Sequence, residues 1–163
     1  MKVYVDDARH FVQTCGEKYD IIFNNAINAK FIPFHLVTKE FFELCASKLN
    51  KNGVMINYSF YNERGTMLKD SIARTMCEVF PSVYYLDFPE QGVSLLFGFK
   101  QKISKEKIFE WINKAKEKNT NRGAQNLMDY FKNIREVDCI NASGEIITDD
   151  KNPIDNITLM QII

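Results

Sequence analysis

Three short polar clusters each follow a strand-like apolar run. Asp6, Asp7, Ala8 and Arg9 follow Lys2–Val5; Asn24, Asn25 and Ala26 follow Tyr19–Phe23; Asn57, Tyr58 and Ser59 close the run that begins at Val54. In open α/β sheets ligands bind beyond the carboxyl ends of the strands, so these clusters are expected to line one edge of a sheet. Asp7 has the chemistry to accept a hydrogen bond from an exocyclic amine such as that of adenine. It is also placed to cap the helix that follows, and the two roles are compatible. Asn25 reads either as a turn residue that ends its strand or as a ligand contact. His35, in the run PFHLVT, reads as a group that holds the loop before a helix. Asp149 and Asp150 are adjacent carboxylates. They suit closure of a site over a cationic amine, and equally a solvated turn.

The same inventory narrows the chemistry. His10 and His35 are the two histidines, and the four cysteines (Cys15, Cys45, Cys77, Cys139) are widely spaced with no C-x-x-C pair. No metal site is expected from such spacing. The thiols read as buried or inert, in a reducing cytoplasm. The opening residues MKVYVDDARH lack the basic start and apolar stretch of an export signal, which supports the cytoplasmic expectation. Lys plus Arg equals Asp plus Glu at 21 each, which argues against a strongly basic nucleic-acid binder. No apolar run approaches the roughly 18 residues of a membrane span. Neither a nucleic-acid nor a membrane partner is therefore expected.

The elements that position these clusters follow from pattern. Lys2–Val5 reads as a strand, Ala8–Thr14 as a short helix, and YDIIF (Tyr19–Phe23) as a strand buried on both faces. Thr38–Leu49 reads as an amphipathic helix capped by Thr38, with Phe41, Phe42, Leu44 and Cys45 turned inward. Asn52-Gly53 is expected to be a turn before a strand at Val54–Tyr58. Gly65–Val79 reads as a helix through Leu68, Ile72 and Met76. Val83–Phe88 and Val93–Phe99 read as a hairpin around Pro89–Gly92. Ser104–Lys118 is a Lys-rich amphipathic helix, Ala124–Ile134 a further helix, and residues 136–155 an acidic, turn-rich segment that offers the basic helix an internal partner. Strands alternating with helices predict a parallel α/β sheet with an antiparallel edge.

Several runs together resemble one family. VDDARHFV, YDIIFNNA, IPFHLVTKEFFE, NGVMINYS, FPSVYY and the late IITDDKNPIDNI resemble the second half of spermidine-synthase-like proteins, the polyamine aminopropyltransferases. The match is closest to the branch often fused to a membrane transporter domain, and it runs from about residue 3 to residue 157. The resemblance implies a class I methyltransferase fold ending in an antiparallel hairpin. It also implies aminopropyl transfer from decarboxylated S-adenosylmethionine to putrescine. Asp7 matches the family's adenine-contacting Asp, and Ala8 the neighbour whose backbone amide meets the adenine ring. Asn25 stands where the family has its catalytic carboxylate. The family's glycine-rich loop and ribose-binding acidic residue have no counterpart in these residues.

The expected architecture is a partial doubly wound, Rossmann-like sheet with its N-terminal strands missing. Residues 1–100 form the second half of the family's domain, and residues 101–163 a helical and acidic extension packed on it. The strands are expected in the order first, second, fifth, fourth, with residues 2–5 left as an edge. Such an edge recruits another strand, so a homodimer or a complementing chain paired through residues 2–5 is expected. No cofactor is expected to bind tightly. Decarboxylated S-adenosylmethionine or S-adenosylmethionine would be a co-substrate, and turnover by the lone chain weak or absent. The alternative is a non-catalytic half-domain or degenerate paralogue acting as a dimerisation or binding module.

Overall fold

In the computed structural model, residues 1–26, 32–60 and 67–153 are described. Asp7 starts the first helix, α1 (Ala8–Thr14), by accepting hydrogen bonds from the amides of Arg9 and His10. β1 (Tyr19–Asn24) follows. A short 3₁₀ turn at Phe34–Leu36 leads to Thr38, whose hydroxyl accepts from Phe41 N and opens α2 (Lys39–Lys48). Phe41, Phe42 and Cys45 are buried, as their spacing predicts, whereas Leu44 is only half-buried. Then come β2 (Leu49–Phe60), α3 (Met67–Cys77), β3 (Ser82–Phe88) and β4 (Val93–Phe99). Ser104 caps α4 (Lys105–Lys118), and Asn121 caps α5 (Arg122–Tyr130). β5 is the short pair Arg135–Glu136.

The five strands lie in the order β1-β2-β4-β3-β5. β1 and β2 are parallel; β2 with β4, β3 with β4 and β3 with β5 are antiparallel. The β3–β4 hairpin forms where expected, its turn closed by Gly92 in the left-handed region at φ 64°. The expected order is corrected by the strand at 49–60, which lies between the second and fifth runs. The extension after residue 100 is not simply packed on the sheet, because it contributes β5 to it.

Two local expectations fail for identifiable reasons. Residues 2–5 form no strand, and Val3 and Val5 are 74% and 102% exposed. A four-residue run without a ladder partner has nothing to hold it extended. The open edge of the described sheet is therefore β1, and the expected pairing through residues 2–5 loses its strand. Asn52-Gly53 does not turn the chain either. It lies inside β2, where the register jumps from Tyr19↔Leu49 to Ile21↔Val54. The extra β2 residues form an irregularity of the bulge kind.

One face of the sheet carries α2 and α3, and its core includes Phe42, Met55, Ile72, Met76 and Leu96. The other face carries α4 and the helical turn at Phe131–Asn133, around Tyr84, Leu86, Phe97, Ile108 and Ile134. This second layer leaves β1 uncovered, with Ile21 and Phe23 60% and 53% exposed, so this strand is not buried on both faces as its apolar run predicts. The basic helix finds an acidic partner in α5, where Lys116 pairs with Asp129 at 2.5 Å. Segment 136–155 was expected to fill that role, but its stretch 143–147 bonds to α3 instead.

Cysteine behaviour departs from expectation as well. Cys77 and Cys139 form a disulfide across 62 residues. Cys15 and Cys45 are free, and burial pushes the Cys45 thiol up to about 12. No helix among the described residues is long and apolar enough to cross a membrane.

Candidate functional site

Asp7 performs its capping role with one oxygen and leaves the other for the site. Oδ1 accepts from Arg9 N at 3.0 Å and His10 N at 3.1 Å; Oδ2 lies 3.0 Å from His35 Nε2. The amide of His10 and the imidazole of His35 hold the Asp7 carboxyl below the usual carboxylate range. At neutral pH it is therefore an anionic acceptor. A carboxylate has about four acceptor positions, so Asp7 keeps one for a ligand.

Arg9 ties this pair to the far end of the chain. Its guanidinium meets Asp149 in a two-pronged contact, Nη1 to Oδ1 at 2.7 Å and Nη2 to Oδ2 at 2.5 Å, and Nη1 also reaches the His35 carbonyl at 3.3 Å. The Asp149 amide donates to Glu40 Oε2 at 3.0 Å. The paired guanidinium lowers the Asp149 carboxyl and the carboxylate raises Arg9. Asp149 thus has its charge met by Arg9. Asp150, its neighbour, is exposed on the turn closed by the Thr148–Lys151 bridge. The structure brings Asp7, His35, Arg9 and Asp149 together and leaves Asp150 outside the cluster.

The ends of β1 and β2 form the adjoining wall. Asn24 Nδ2 donates to Asn57 Oδ1 at 2.7 Å and to the Leu36 carbonyl at 2.8 Å, and Asn24 Oδ1 accepts from Ala26 N at 3.3 Å. Asn57 is fully buried. Parallel pairing places Asn24 level with Asn57, as the shared edge requires. Asn25 follows β1 directly and is exposed. Between this wall and α1 runs a groove of about 400 Å³, lined by Tyr4, Asp6, Ala8, Phe11, Phe23 and Asn24 among others. That volume falls in the range of small-molecule pockets. Ala8 therefore lies where a ligand would pass.

Sequence reasoning located Asp7, Ala8, Asn24 and Asn25 on one edge but gave no role to Arg9 or Glu40. The available signal for Arg9 was the Asp149 carboxylate, read instead as closing over a cationic amine or as a solvated turn. The 140 residues between them hide the pairing from any local pattern. Among the described residues no group of three or more His, Cys, Asp or Glu side chains is placed to hold a metal ion.

The helix-flanked five-stranded sheet has the Rossmann-like fold of class I methyltransferases. The fold matches the "probable spermidine synthase" of Corynebacterium glutamicum with a TM-score of 0.56 and 24% identity, over 63% of this chain and 39% of that one. It also matches human methyltransferase-like protein 13, solved in complex with SAH. There the TM-score is 0.54 at 22% identity, over 85% of this chain and 62% of that one. Residues 1–93 match the model of the spermine/spermidine synthase domain, and the chain belongs to that family. A "probable polyamine aminopropyl transferase" of Bifidobacterium longum is 26% identical over 161 residues, covering 91% of this chain and 36% of the relative. The polyamine aminopropyltransferase of Vibrio vulnificus is 31% identical over 94 residues, covering 56% of this chain and 30% of the relative. The chain thus spans about a third of the length of these curated relatives.

Proposed function

We propose that this chain supplies the adenine-binding side of an aminopropyltransferase site of polyamine metabolism. Decarboxylated S-adenosylmethionine, or S-adenosylmethionine itself, would be the ligand. The observation that carries the reading is the anionic Asp7, fixed by His35 and the α1 amides and set between Asp6 and Ala8, which both line the groove. An exocyclic amine donates to such a carboxylate, and the neighbouring apolar and aromatic walls suit a purine face. In the complete reaction an amine attacks the carbon beside the sulfonium and methylthioadenosine leaves. The attacking amine is an ammonium near neutral pH, since alkyl amines titrate near 10. A carboxylate accepts its proton, whereas the amide of Asn25 does so poorly. Turnover by the chain alone is therefore weak or absent, in the cytoplasm where such chemistry is expected.

The open β1 edge and the uncovered Ile21 and Phe23 favour a second, compatible role. This side binds a further strand, from a second copy or from a complementing chain, and β1 replaces residues 2–5 as the pairing element.

Calorimetric titration with methylthioadenosine, S-adenosylmethionine and its decarboxylated form tests the reading. Binding tighter than about 100 μM supports a retained nucleoside site. The absence of binding at millimolar ligand overturns it and leaves the pairing role, which sedimentation of the chain with and without Phe23→Lys tests separately.

A further inference from the structure

Segment 135–151 forms a strap that crosses α3 and ends at the candidate site. The Cys77–Cys139 disulfide anchors it near one end, with the two Cα atoms 5.5 Å apart, and Arg74 Nη1 donates to the Cys139 carbonyl at 2.6 Å. Further along, Ser143 Oγ donates to Asp70 Oδ2 at 3.0 Å. Gly144, at φ +92°, lies so close to α3 that a Cβ there would sit 2.5 Å from Ser71 N. Glu145 N donates to Ser71 Oγ at 3.1 Å, and Ile147 N donates to Thr75 Oγ1 at 2.9 Å. The Ile147 side chain is fully buried, and its carbonyl accepts from Lys39 N at 2.8 Å. Two residues on, Asp149 clasps Arg9. One covalent bond, one glycine contact and a row of hydrogen bonds therefore connect the disulfide to the groups around Asp7.

Both sulfur-bearing residues are only partly buried, within reach of a small dithiol. Accessible disulfides are the ones that exchange, whereas enclosed ones persist. We propose that Cys77–Cys139 is a redox switch that determines whether the strap is locked on α3, and with it the Arg9–Asp149 clasp beside Asp7. In the switching step a thiolate of a dithiol reductant attacks one sulfur and the S–S bond breaks. The mixed disulfide that forms is displaced by the reductant's second thiol. Two electrons and two protons pass to the protein, giving thiols at Cys77 and Cys139, and the reductant leaves as its own disulfide. A disulfide oxidant runs the step in reverse. Without its tether the reduced strap is held only by its hydrogen bonds and Ile147, and it opens more often as a local unit. The inference stands on the strap's contacts, whatever ligand the groove takes.

The test uses the whole chain, oxidised with glutathione disulfide or reduced with dithiothreitol. Alkylation under denaturing conditions is expected to find two thiols, Cys15 and Cys45, in the oxidised protein and four in the reduced. Hydrogen exchange in peptides spanning 143–150 is expected to quicken about tenfold or more on reduction, with β2 and β4 unchanged. Cys139→Ser should exchange like the reduced protein in both conditions. Gly144→Ala should loosen the same peptides with the disulfide intact. Four alkylatable thiols after oxidation, or equal exchange of 143–150 in the two redox states, overturns the proposal. If the serine variant fails to fold, the two redox states of the parent chain still decide the matter.

Discussion

Asp7 carries a helix cap and a contact with His35 at once, and two substitutions separate those tasks from ligand binding. Asp7→Asn keeps an oxygen to cap α1, since Asn caps about as well as Asp, but puts an NH₂ where the anionic Oδ2 was. Asp7→Ala removes both functions. The cap is worth about 1 kcal/mol, within a range of roughly 0.5–2. The pair with His35 joins side chains 52% and 39% exposed, so screening limits it to about 1 kcal/mol at most. The alanine variant should therefore lose about 1–2 kcal/mol, or roughly 3–8 °C in melting temperature for a chain of this size. The asparagine variant should stay within about 0.5 kcal/mol of the parent. Nucleoside affinity should follow a different order. A hydrogen bond to a charged acceptor is worth about 1.5–3 kcal/mol, equivalent to about 10- to 150-fold in Kd, and both variants lose it. Thermal denaturation and calorimetric titration with methylthioadenosine on the three proteins separate the effects. An asparagine variant that binds as tightly as the parent refutes the ligand role and leaves Asp7 a cap. An alanine variant that melts with the parent refutes the cap.

Gly98 faces the Phe80 ring, where an added Cβ would stand 2.4 Å from Cδ2. Gly98→Ala should cost about 1–3 kcal/mol by overpacking in urea denaturation, and Phe80→Leu in the same background should recover part of it. Ser59 Oγ is buried without a hydrogen-bond partner among the described residues. Ser59→Ala should be neutral or stabilising by up to about 1 kcal/mol, and a larger loss in the same assay would contradict the geometry. Asp7 and Asp149 titrate below their unfolded value in the folded chain, so they bind fewer protons folded than unfolded. Their stabilisation is complete above the unfolded Asp value near 4. It is lost as pH falls through the lower folded values. Melting curves from pH 7 to 2.5 should show that decline, and Asp149→Asn should flatten part of it.

What was legible in the sequence is what local chemistry decides. The caps at Asp7 and Thr38, the inward set of α2 and the Pro89–Gly92 turn all depend on residues within four positions of one another. The strand at 2–5 failed because a strand is a property of its neighbour as well as of its own residues, and four β-prone positions carry no information about the neighbour. Gly53 misled for a related reason. Glycine permits a turn and an irregular strand alike, and the partner β1 settles which one forms. At the site, the amide-rich ends of β1 and β2 were visible because topology alone puts neighbouring strand ends together, and Asp7 was visible as the cap of α1. Arg9–Asp149 and Cys77–Cys139 join positions 140 and 62 residues apart. Only the path of the strap along α3 brings their members together.

The edge so assembled separates charge from amide. Asp7 is engaged by His35 and two backbone amides, and Asp149 by Arg9. At the end of β1 stand Asn24, Asn25 and Asn57, neutral groups, two of them bonded to each other. Among the described residues, an ammonium ligand brought to that end would meet amide oxygens, and the carboxylate that lines the groove, Asp6, is already paired with His10. Desolvating a cation without a counter-charge is costly. A purine asks for less: one acceptor for its amine, apolar walls for its faces and no net charge to balance. On the function proposed above, the described edge suits the nucleoside end of the family's reaction better than its amine end.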